Sequence, residues 1–223
     1  MISVVIPTRA EGARLLAAIE AITRLGGEGE IVVAAHDESS AVRNRARRCS
    51  RLVWVDCPRA CRGEQLARGA AAAAGDVLLF LHADTRLPTE APPAIAAALR
   101  DPRVLGGGFR LAFDARHPAL DLLAGLSAAP WRFAYLGDQG FFVRRDAYHA
   151  IGGYQPLPLF EDMDLARRLA RHGRLVRLAC AARTSARRFL AAGPWRQLAL
   201  NAWLVGLFMA GAEPARLAKR YRP

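Results

Sequence analysis

A histidine and an aspartate stand two residues apart where a short apolar run ends, in the segment Phe-Leu-His-Ala-Asp-Thr at residues 80–85. Alternate residues of an extended chain share a face, so His82 and Asp84 can point to one site at the carboxyl edge of a sheet. A carboxylate there suits Mg²⁺ or Mn²⁺, because these hard ions bind one or two protein carboxylates and take their other ligands from phosphate oxygens and water. An Asp84 that caps a turn beside a packed His82 is the alternative.

Two other acidic segments could act on a bound ligand. Residues 137–140, Gly-Asp-Gln-Gly, predict a loop that presents Asp138 and Gln139 to a polyhydroxylated ligand, since its glycines permit positive φ. A simple turn is the competing interpretation. Glu161 and Asp162 open a predicted helix, where acidic residues are favoured by the helix dipole alone. Their functional interpretation is a general base that deprotonates an attacking hydroxyl.

Basic and polar residues could bind a nucleotide. Arg187 and Arg188 can clamp phosphate, because guanidinium groups match phosphate oxygens and keep their charge, although a solvated pair is expected by default in so arginine-rich a chain. Pro7 and Thr8 end the first strand-like run, and the segment from Arg62 to Gln65 opens a helix. Both positions suit a nucleotide.

The surrounding segments alternate between β-branched runs and Ala/Leu/Arg stretches of helical length, which is typical of βαβ units around a mostly parallel sheet. Candidate strands are 2–6, 30–34, 52–55 and 77–81, and candidate helices lie near 12–24, 39–48, 63–74 and 91–100. Residues 106–113 alternate like an exposed antiparallel strand that begins a second sheet element or extends the first. Further on we expect helix and loop over 117–136, a short strand at 140–143 and an amphipathic helix at 162–172.

Composition bounds the class of protein. The 223 residues suffice for one well-packed domain, and 52% hydrophobic with 23% charged residues excludes intrinsic disorder. The formal charge of +12 is nearly all arginine and indicates either an anionic partner or a biased base composition. The cysteines lack the spacing of a zinc site, so we expect reduced thiols. The strand-like start shows no cleavage site, and a cytoplasmic location is expected.

The stretch 198–210 is strongly apolar but shorter than the roughly 20 residues that span a bilayer. Basic residues on both sides would let the segment 195–222 lie on anionic headgroups as a peripheral contact with the inner face of the membrane. A helix buried against the domain or a partner subunit is the alternative interpretation.

Taken in order, these segments resemble the family 2 glycosyltransferases. The resemblance rests on residues 2–8 (Ile-Ser-Val-Val-Ile-Pro-Thr), 75–85, 137–140, 151–154 (Ile-Gly-Gly-Tyr) and the pair at 161–162, and it covers nearly the whole chain. The sequence is most similar to a small bacterial branch described as radical-SAM/selenodomain-associated transferase 2. The family implies an α/β fold of the GT-A type, a nucleoside-diphosphate sugar donor (a UDP-sugar is favoured) and usually inversion at the anomeric carbon.

The resemblance also implies roles for individual residues. Asp84 matches the metal-binding acid of the family's DxD-type motif, with His82 in place of the first Asp, so Mn²⁺ or Mg²⁺ is the expected cofactor. Asp162 matches the catalytic base. Arg187 and Arg188 resemble a reduced form of the late basic motif that holds the diphosphate.

Two departures from the family affect the donor site. The second strand is followed by Ala-His-Asp-Glu-Ser at residues 35–39 instead of an Asp-Gly-Gly-Ser-like turn whose Asp contacts the nucleobase, and Asp37, shifted by about two positions, could take over that contact. Ala67 replaces an Asn that is common in the branch.

The implied organisation is one domain over 1–223. It comprises a nucleotide-sugar-binding half (1–115), an acceptor and catalytic half (116–192) and a C-terminal apolar helix with a basic tail (193–223). The acceptor is not identified, although a lipid-linked one would fit the apolar helix. Two other classes stay open at this point, a nucleotidyltransferase and a basic, non-catalytic binder of membranes or nucleic acid. The scattered charge and the lack of a nucleic-acid motif argue against a nucleic-acid partner.

Overall fold

The first half of the chain builds a parallel sheet with helical crossovers. The computed structural model describes residues 1–26, 29–128 and 137–221. Its first elements are β1 (Ile2–Arg9), α1 (Ala13–Arg24), β2 (Glu30–His36), α2 (Ser40–Ala46), β3 (Leu52–Asp56), α3 (Arg62–Ala72), β4 (Val77–Phe80) and α4 (Ala91–Ala98). β1, β2 and β4 are buried along most of their length because helices cover both faces of the sheet. All eight elements were predicted from the sequence, with boundaries that differ by a few residues.

The second half completes the same sheet and adds helices at one end. Its elements are β5 (Val104–Phe113), α5 (Pro118–Ser127), a 3₁₀ turn (Gly137–Gln139), β6 (Phe141–Arg144), α6 (Arg145–Ala150), α7 (Glu161–Leu169), β7 (Arg174–Thr184), α8 (Arg187–Ala192), α9 (Pro194–Met209) and α10 (Pro214–Ala218). The strand order is β3-β2-β1-β4-β6-β5-β7. β6 runs antiparallel to β4 and β5, whereas the other neighbouring strands are parallel.

Three sequence expectations change in this half. The prediction that 106–113 is exposed is wrong, because β5 lies inside the sheet between β6 and β7 and buries Phe109 completely. The edge strand β7 and the short helix α8 were not predicted; arginines interrupt the apolar pattern of β7. Of the expected helix and loop over 117–136, the helix is α5, and residues 129–136 lie outside the described part of the chain.

Two apolar cores lie on the two faces of the sheet, and a third cluster attaches the C-terminal helices. On one face α1 and α4 pack against the strands, and on the other α3, α6 and α7 do so. In the third cluster, Met163 of α7 packs with Leu204 and Phe208 of α9 and Leu217 of α10. The helix that begins with Glu161 is therefore held directly against the C-terminal segment.

No helix within the described residues combines the length and the apolar character needed to cross a membrane.

Candidate active site

His82 and Asp138 meet at the carboxyl edge of the sheet because of strand pairing. β4 and β6 are antiparallel with Phe80 opposite Phe141, so the residues after β4 face the 3₁₀ turn before β6. His82 Nδ1 and Asp138 Oδ1 lie 3.1 Å apart. Since an ionised carboxylate can only accept, Nδ1 carries the proton and donates, which leaves Nε2 of the imidazole available to another partner.

Asp138 is a stable negative charge in this site. Burial opposes its ionisation, but the hydrogen bond from His82 and the positive charges of Arg62 and Arg188 lower the pKa of Asp138 to about 2. The carboxylate therefore stays ionised at any physiological pH and fixes the orientation of the imidazole.

Glu161 and Asp162 form a buried acidic pair at the start of α7. Their exposed fractions are 3% and 6%, and the preceding Phe160 adopts the left-handed conformation with φ 63°. The Tyr154 hydroxyl donates a hydrogen bond to Asp162 Oδ1. Glu161 Oε1 lies 3.8 Å from Arg62 Nε. Each carboxylate is thus oriented by a different neighbour.

The acidic pair holds its protons more tightly than exposed carboxyl groups do. Burial, followed by the charge of Asp162, raises the pKa of Glu161 to about 7, and burial also raises the pKa of Asp162. Ionisation of one of these neighbouring carboxylates opposes ionisation of the other, so their proton losses depend on each other. Such a group can accept a proton from an attacking hydroxyl.

Arg62 reaches the acidic pair because a glycine follows it. A Cβ on Gly63 would lie 2.2 Å from the carbonyl oxygen of Gln155, so only glycine lets the start of α3 approach the loop before α7. On the other side of the site, Arg188 NH1 donates to the hydroxyl of Tyr221 over 3.1 Å. The C-terminal segment therefore contacts one of the predicted phosphate-binding arginines.

One cavity of about 110 Å³ collects these groups. Six predicted site residues line it: Arg62, His82, Asp138, Glu161, Asp162 and Arg188. Its apolar wall comes from Leu159, Phe160, Met163, Leu204 and Val205, and Asn201 and Tyr221 complete the lining. The volume is below the roughly 300 Å³ typical of small-molecule sites. The cavity can therefore hold reacting groups but not a whole nucleotide sugar.

The predicted nucleotide-binding residues near β1 lie outside this cavity. Thr8 is buried, and its hydroxyl donates to Glu38 Oε1 over 2.5 Å. The amide of Gln65 donates to the carbonyl oxygens of Thr8 (2.7 Å) and Ala34 (3.0 Å), so it ties together the ends of β1 and β2. Pro7 belongs to β1 and pairs with Ala34.

The structure separates the other predicted residues from the cavity as well. Asp37 is exposed directly after β2 with φ 56°. Gln139 is buried, and its side-chain oxygen accepts a hydrogen bond from Arg177. Arg187 is exposed at the start of α8. Of the predicted arginine pair, only Arg188 thus enters the cavity.

Asp84 offers a carboxylate that could bind a metal. It is half-buried just after β4, and its carboxylate makes no hydrogen bond to any other described residue. Within the described ranges, no three His, Cys, Asp or Glu side chains are grouped to hold a metal ion. Mg²⁺ and Mn²⁺ sites that use substrate phosphates need only one or two protein ligands. Asp84 could supply one carboxylate ligand and His82 Nε2 one nitrogen ligand to such an ion, but of these two residues only His82 lines the cavity.

Sequence reasoning missed three contributors to the site. Tyr154 belongs to a quoted motif, but its hydrogen bond to Asp162 was not foreseen. Glu38 accepts from the backbone nitrogens of Glu11 (2.6 Å) and Gly12 (3.3 Å) and orders the loop after β1. Tyr221 belongs to the basic tail, and the sequence did not indicate that this residue would contact Arg188. The contacts of Glu38 and Tyr221 join residues 26 to 33 positions apart, and that of Tyr154 spans eight positions across a loop, so no local pattern marks them.

Comparison with known proteins identifies the fold and the class of enzyme. The pattern of Glycosyl transferase family 2 matches residues 3–151, about two thirds of the chain. The chain belongs to this family. Membership of this family favours sugar transfer over the nucleotidyltransferase and the non-catalytic binder. No curated protein matches the sequence.

Solved structures share the architecture at low identity. A mannosyltransferase from Pyrobaculum calidifontis in complex with GDP-Man and Mn²⁺ superposes with a TM-score of 0.71 and 17% identity, over 96% of this chain and 66% of that one. S. aureus TarS superposes with a TM-score of 0.66 and 13% identity, over 97% of this chain and 41% of TarS. The third example is a glucosyl-3-phosphoglycerate synthase from Mycobacterium tuberculosis in complex with Mn²⁺, UDP-Glc and glycerol 3-phosphate. It superposes with a TM-score of 0.54 and 21% identity, over 81% of this chain and 71% of the synthase. The glycosyltransferase has the predicted GT-A fold but spans less than half of TarS.

Proposed function

We propose that this glycosyltransferase transfers a sugar from a nucleoside-diphosphate sugar, most suitably a UDP-sugar, to an acceptor hydroxyl with inversion at the anomeric carbon. The observation that carries the proposal is the buried pair Glu161 and Asp162, placed in one cavity with Arg62 and Arg188. Similar solved structures support the donor class, since their complexes contain GDP-Man, UDP-GlcNAc or UDP-Glc.

Proton removal falls to the acidic pair. Tyr154 occupies Oδ1 of Asp162, which leaves Oδ2 to take the proton of the acceptor hydroxyl. As the acceptor oxygen forms its bond to the anomeric carbon, the bond from that carbon to the diphosphate oxygen breaks. Glu161, held by Arg62, tunes the proton affinity of the pair and provides the second carboxylate.

Charge on the leaving diphosphate is met by basic residues. Arg188 lies in the cavity, and Arg187 precedes it on the same short helix. Bound Mn²⁺ or Mg²⁺ would add positive charge at the diphosphate, which would need no acid as it departs. Asp84 and His82 would hold that ion, while Asp138 keeps the imidazole oriented and can contact sugar hydroxyls from the cavity wall.

Donor recognition is proposed for the half formed by residues 1–115, at the carboxyl ends of β1 and β2. Pro7, Thr8, Asp37 and Gln65 gather there, with Arg62 at the border of the cavity. The acceptor and catalytic half is 116–192, and 193–223 adds the C-terminal helices. We keep membership of the radical-SAM/selenodomain-associated branch as part of this proposal, on the motifs quoted above.

Thermal unfolding tests the donor and the metal together. A ligand that binds only the folded state at about 100 times its Kd raises the unfolding midpoint of a chain of this size by about 5–10 °C. We expect this rise with UDP or GDP in the presence of Mn²⁺, and we expect Asp84→Ala to abolish it. Asp146→Ala, an exposed aspartate on α6, is the matched control and should behave as wild type. A shift that survives in Asp84→Ala would remove Asp84 from the metal site.

The role of the base is tested separately by donor turnover. With water as the acceptor, Asp162→Asn should release nucleoside diphosphate about 10²- to 10⁴-fold more slowly, while its midpoint still rises with donor and Mn²⁺. Unchanged turnover would remove Asp162 from the role of base.

A further inference from the structure

The exposed face of α9 is apolar, which is unusual for a surface helix. This 16-residue helix contains one charged residue, Arg196. Its inner side packs Leu204 and Phe208 into the third apolar cluster. Its outer side exposes Trp195 (55%) and Trp203 (46%), and the other exposed residues of the helix are Arg196, Ala199, Ala202, Gly206 and Met209. A helix that is apolar all round is normally covered on every side.

Exposed apolar side chains are concentrated on α9 and its two neighbours. Six of the seven large exposed apolar residues in the described chain lie on α5, α8 and α9: Leu122, Leu126, Leu190, Trp195, Trp203 and Met209. The three helices contact one another, since Leu120 of α5 packs on Phe189 of α8 and α9 touches both. The ring of His117, before α5, lies 6.3 Å from that of Trp195. We call this surface the α5–α8–α9 face.

Basic residues surround this face. Exposed cations on or beside it are Arg187, Arg196, Arg216, Lys219 and Arg220. The guanidinium of Arg220 lies 5.3 Å from the ring centre of Trp203, which places charge at the edge of the apolar stripe. Among the acids of the region, Asp121 and Glu213 are paired with Arg116 and Arg216, and Asp114 accepts a hydrogen bond from the backbone nitrogen of Ala186 at the start of α8. The face is therefore apolar with a strongly positive rim.

We propose that the α5–α8–α9 face docks on an anionic lipid bilayer, with α9 lying flat at the interface between headgroups and acyl chains. Tryptophan suits this depth because its ring is apolar and its N–H is polar. Arginine and lysine at the rim would meet anionic headgroups, which attract basic residues close to the membrane surface. Both features are those of interfacial helices.

Charge favours a bilayer over a second copy of the chain. A two-fold dimer through this face would place the same patch against itself, so the basic rim of one copy would meet the basic rim of the other. Like charges brought together in this way repel, whereas an anionic surface neutralises them.

Docking on this face also assigns the class of acceptor, a step that rests on the proposed function. The inner side of α9 lines the cavity through Asn201, Leu204 and Val205, while its outer side would contact lipid. A helix is about 10 Å across, so the acidic pair would lie about one helix diameter from the bilayer. The acceptor would then be the hydroxyl-bearing headgroup of an amphiphile resident in that bilayer.

Vesicle co-sedimentation tests docking without any catalysis. We expect the full chain to bind vesicles that contain phosphatidylglycerol and to bind pure phosphatidylcholine vesicles much more weakly. Trp203→Ser should reduce the partition coefficient about tenfold, since one large apolar side chain no longer enters the interface. Because Trp203 is exposed, the variant should fold, and its near-ultraviolet circular dichroism and unfolding midpoint check this.

A matched pair of charge-reversal variants distinguishes binding through this face from non-specific electrostatic binding. Arg220→Glu lies on the rim of the face, whereas Arg48→Glu lies after α2 near the opposite edge of the sheet. We expect the first to weaken binding to phosphatidylglycerol vesicles at least about fivefold and the second to leave it nearly unchanged. Equal losses would overturn the assignment of this face.

Other results would also overturn the proposal. One is a lack of binding to either vesicle; another is a solution dimer that Trp203→Ser converts to monomer, which would assign the face to a second copy. Vesicle binding without any stabilisation by nucleoside diphosphates would leave docking intact and remove the proposed donor. Stabilisation by nucleoside diphosphates without vesicle binding would overturn docking and leave the proposed donor intact.

Discussion

The imidazole of His82 and the carboxylate of Asp138 face each other at 3.1 Å although 56 residues separate them in the sequence. The antiparallel pairing of β4 with β6 produces this contact. The hydrogen bond at Nδ1 fixes the orientation of the imidazole ring and therefore the direction of its Nε2 atom. Carboxylates orient metal-binding histidines in this way.

Removing the charge of Asp138 should weaken metal-assisted donor binding. In Asp138→Asn the imidazole loses the ionised partner that fixes its tautomer, so we expect the affinity for UDP or GDP with Mn²⁺ to fall about 10- to 100-fold. Calorimetric titration measures this change. Asp146→Asn serves as the control, and an affinity equal to that of wild type in Asp138→Asn would show that the pair does not serve the metal.

Activity should depend on pH through the acidic pair. Because Asp162, the proposed base, must be deprotonated and burial raises its pKa, kcat/KM should rise with pH across this raised pKa and then level off. In Glu161→Gln the neighbouring negative charge is gone, so Asp162 should ionise more easily and the rise should move to lower pH. A pH–rate profile of both proteins decides this, and a profile that does not move would contradict the coupling.

The same group makes stability depend on pH. The pKa of Glu161 is raised from 4.5 to about 7 on folding, so the folded state holds more protons than the unfolded state between these values. The free energy of unfolding should therefore fall as pH rises from about 4.5 to 7. Urea unfolding across this range should show a shallower fall for Glu161→Gln; an equal slope in both proteins would remove Glu161 as the cause.

Tyr154 is expected to act on catalysis through Asp162. Tyr154→Phe keeps the ring that packs edge-on against Phe80, with centroids 4.8 Å apart, but removes the hydrogen bond that lowers the pKa of Asp162. Turnover at pH 7 should fall about tenfold, as a hydrogen bond to a charged group contributes about 1.5–3 kcal/mol, and the acidic limb should move to higher pH. Reduced turnover with an unchanged pH profile would indicate a merely structural role.

Gln65 should matter to stability whatever its role in donor binding. Its amide satisfies two buried carbonyl oxygens, so Gln65→Ala should lower the free energy of unfolding by about 2–4 kcal/mol. Denaturant unfolding measures this loss, with Gln155→Ala as the control because Gln155 is exposed. A loss below about 0.5 kcal/mol, the usual range of surface changes, would contradict the structural role.

Much of the architecture follows from local sequence patterns. The four parallel strands and their helices were predicted because apolar periodicity is a property of short segments. The same locality explains the failures: β7 carries arginines at an edge where solvent accepts them, and the exposure of β5 depends on the strands beside it. A segment by itself does not reveal which neighbours will cover it.

The sequence alone determined the types of chemical groups and their places at element ends: His82 and Asp84 after a strand, Glu161 and Asp162 at a helix start. Only the tertiary structure decided their partners. Strand pairing set Asp138 against His82, burial raised the proton affinity of the acidic pair, and the turn of α8 placed Arg188 rather than Arg187 in the cavity. The physical reason is that residue type and periodicity are local, whereas burial, charge interactions and hydrogen-bond partners depend on distances across space that only the folded chain sets.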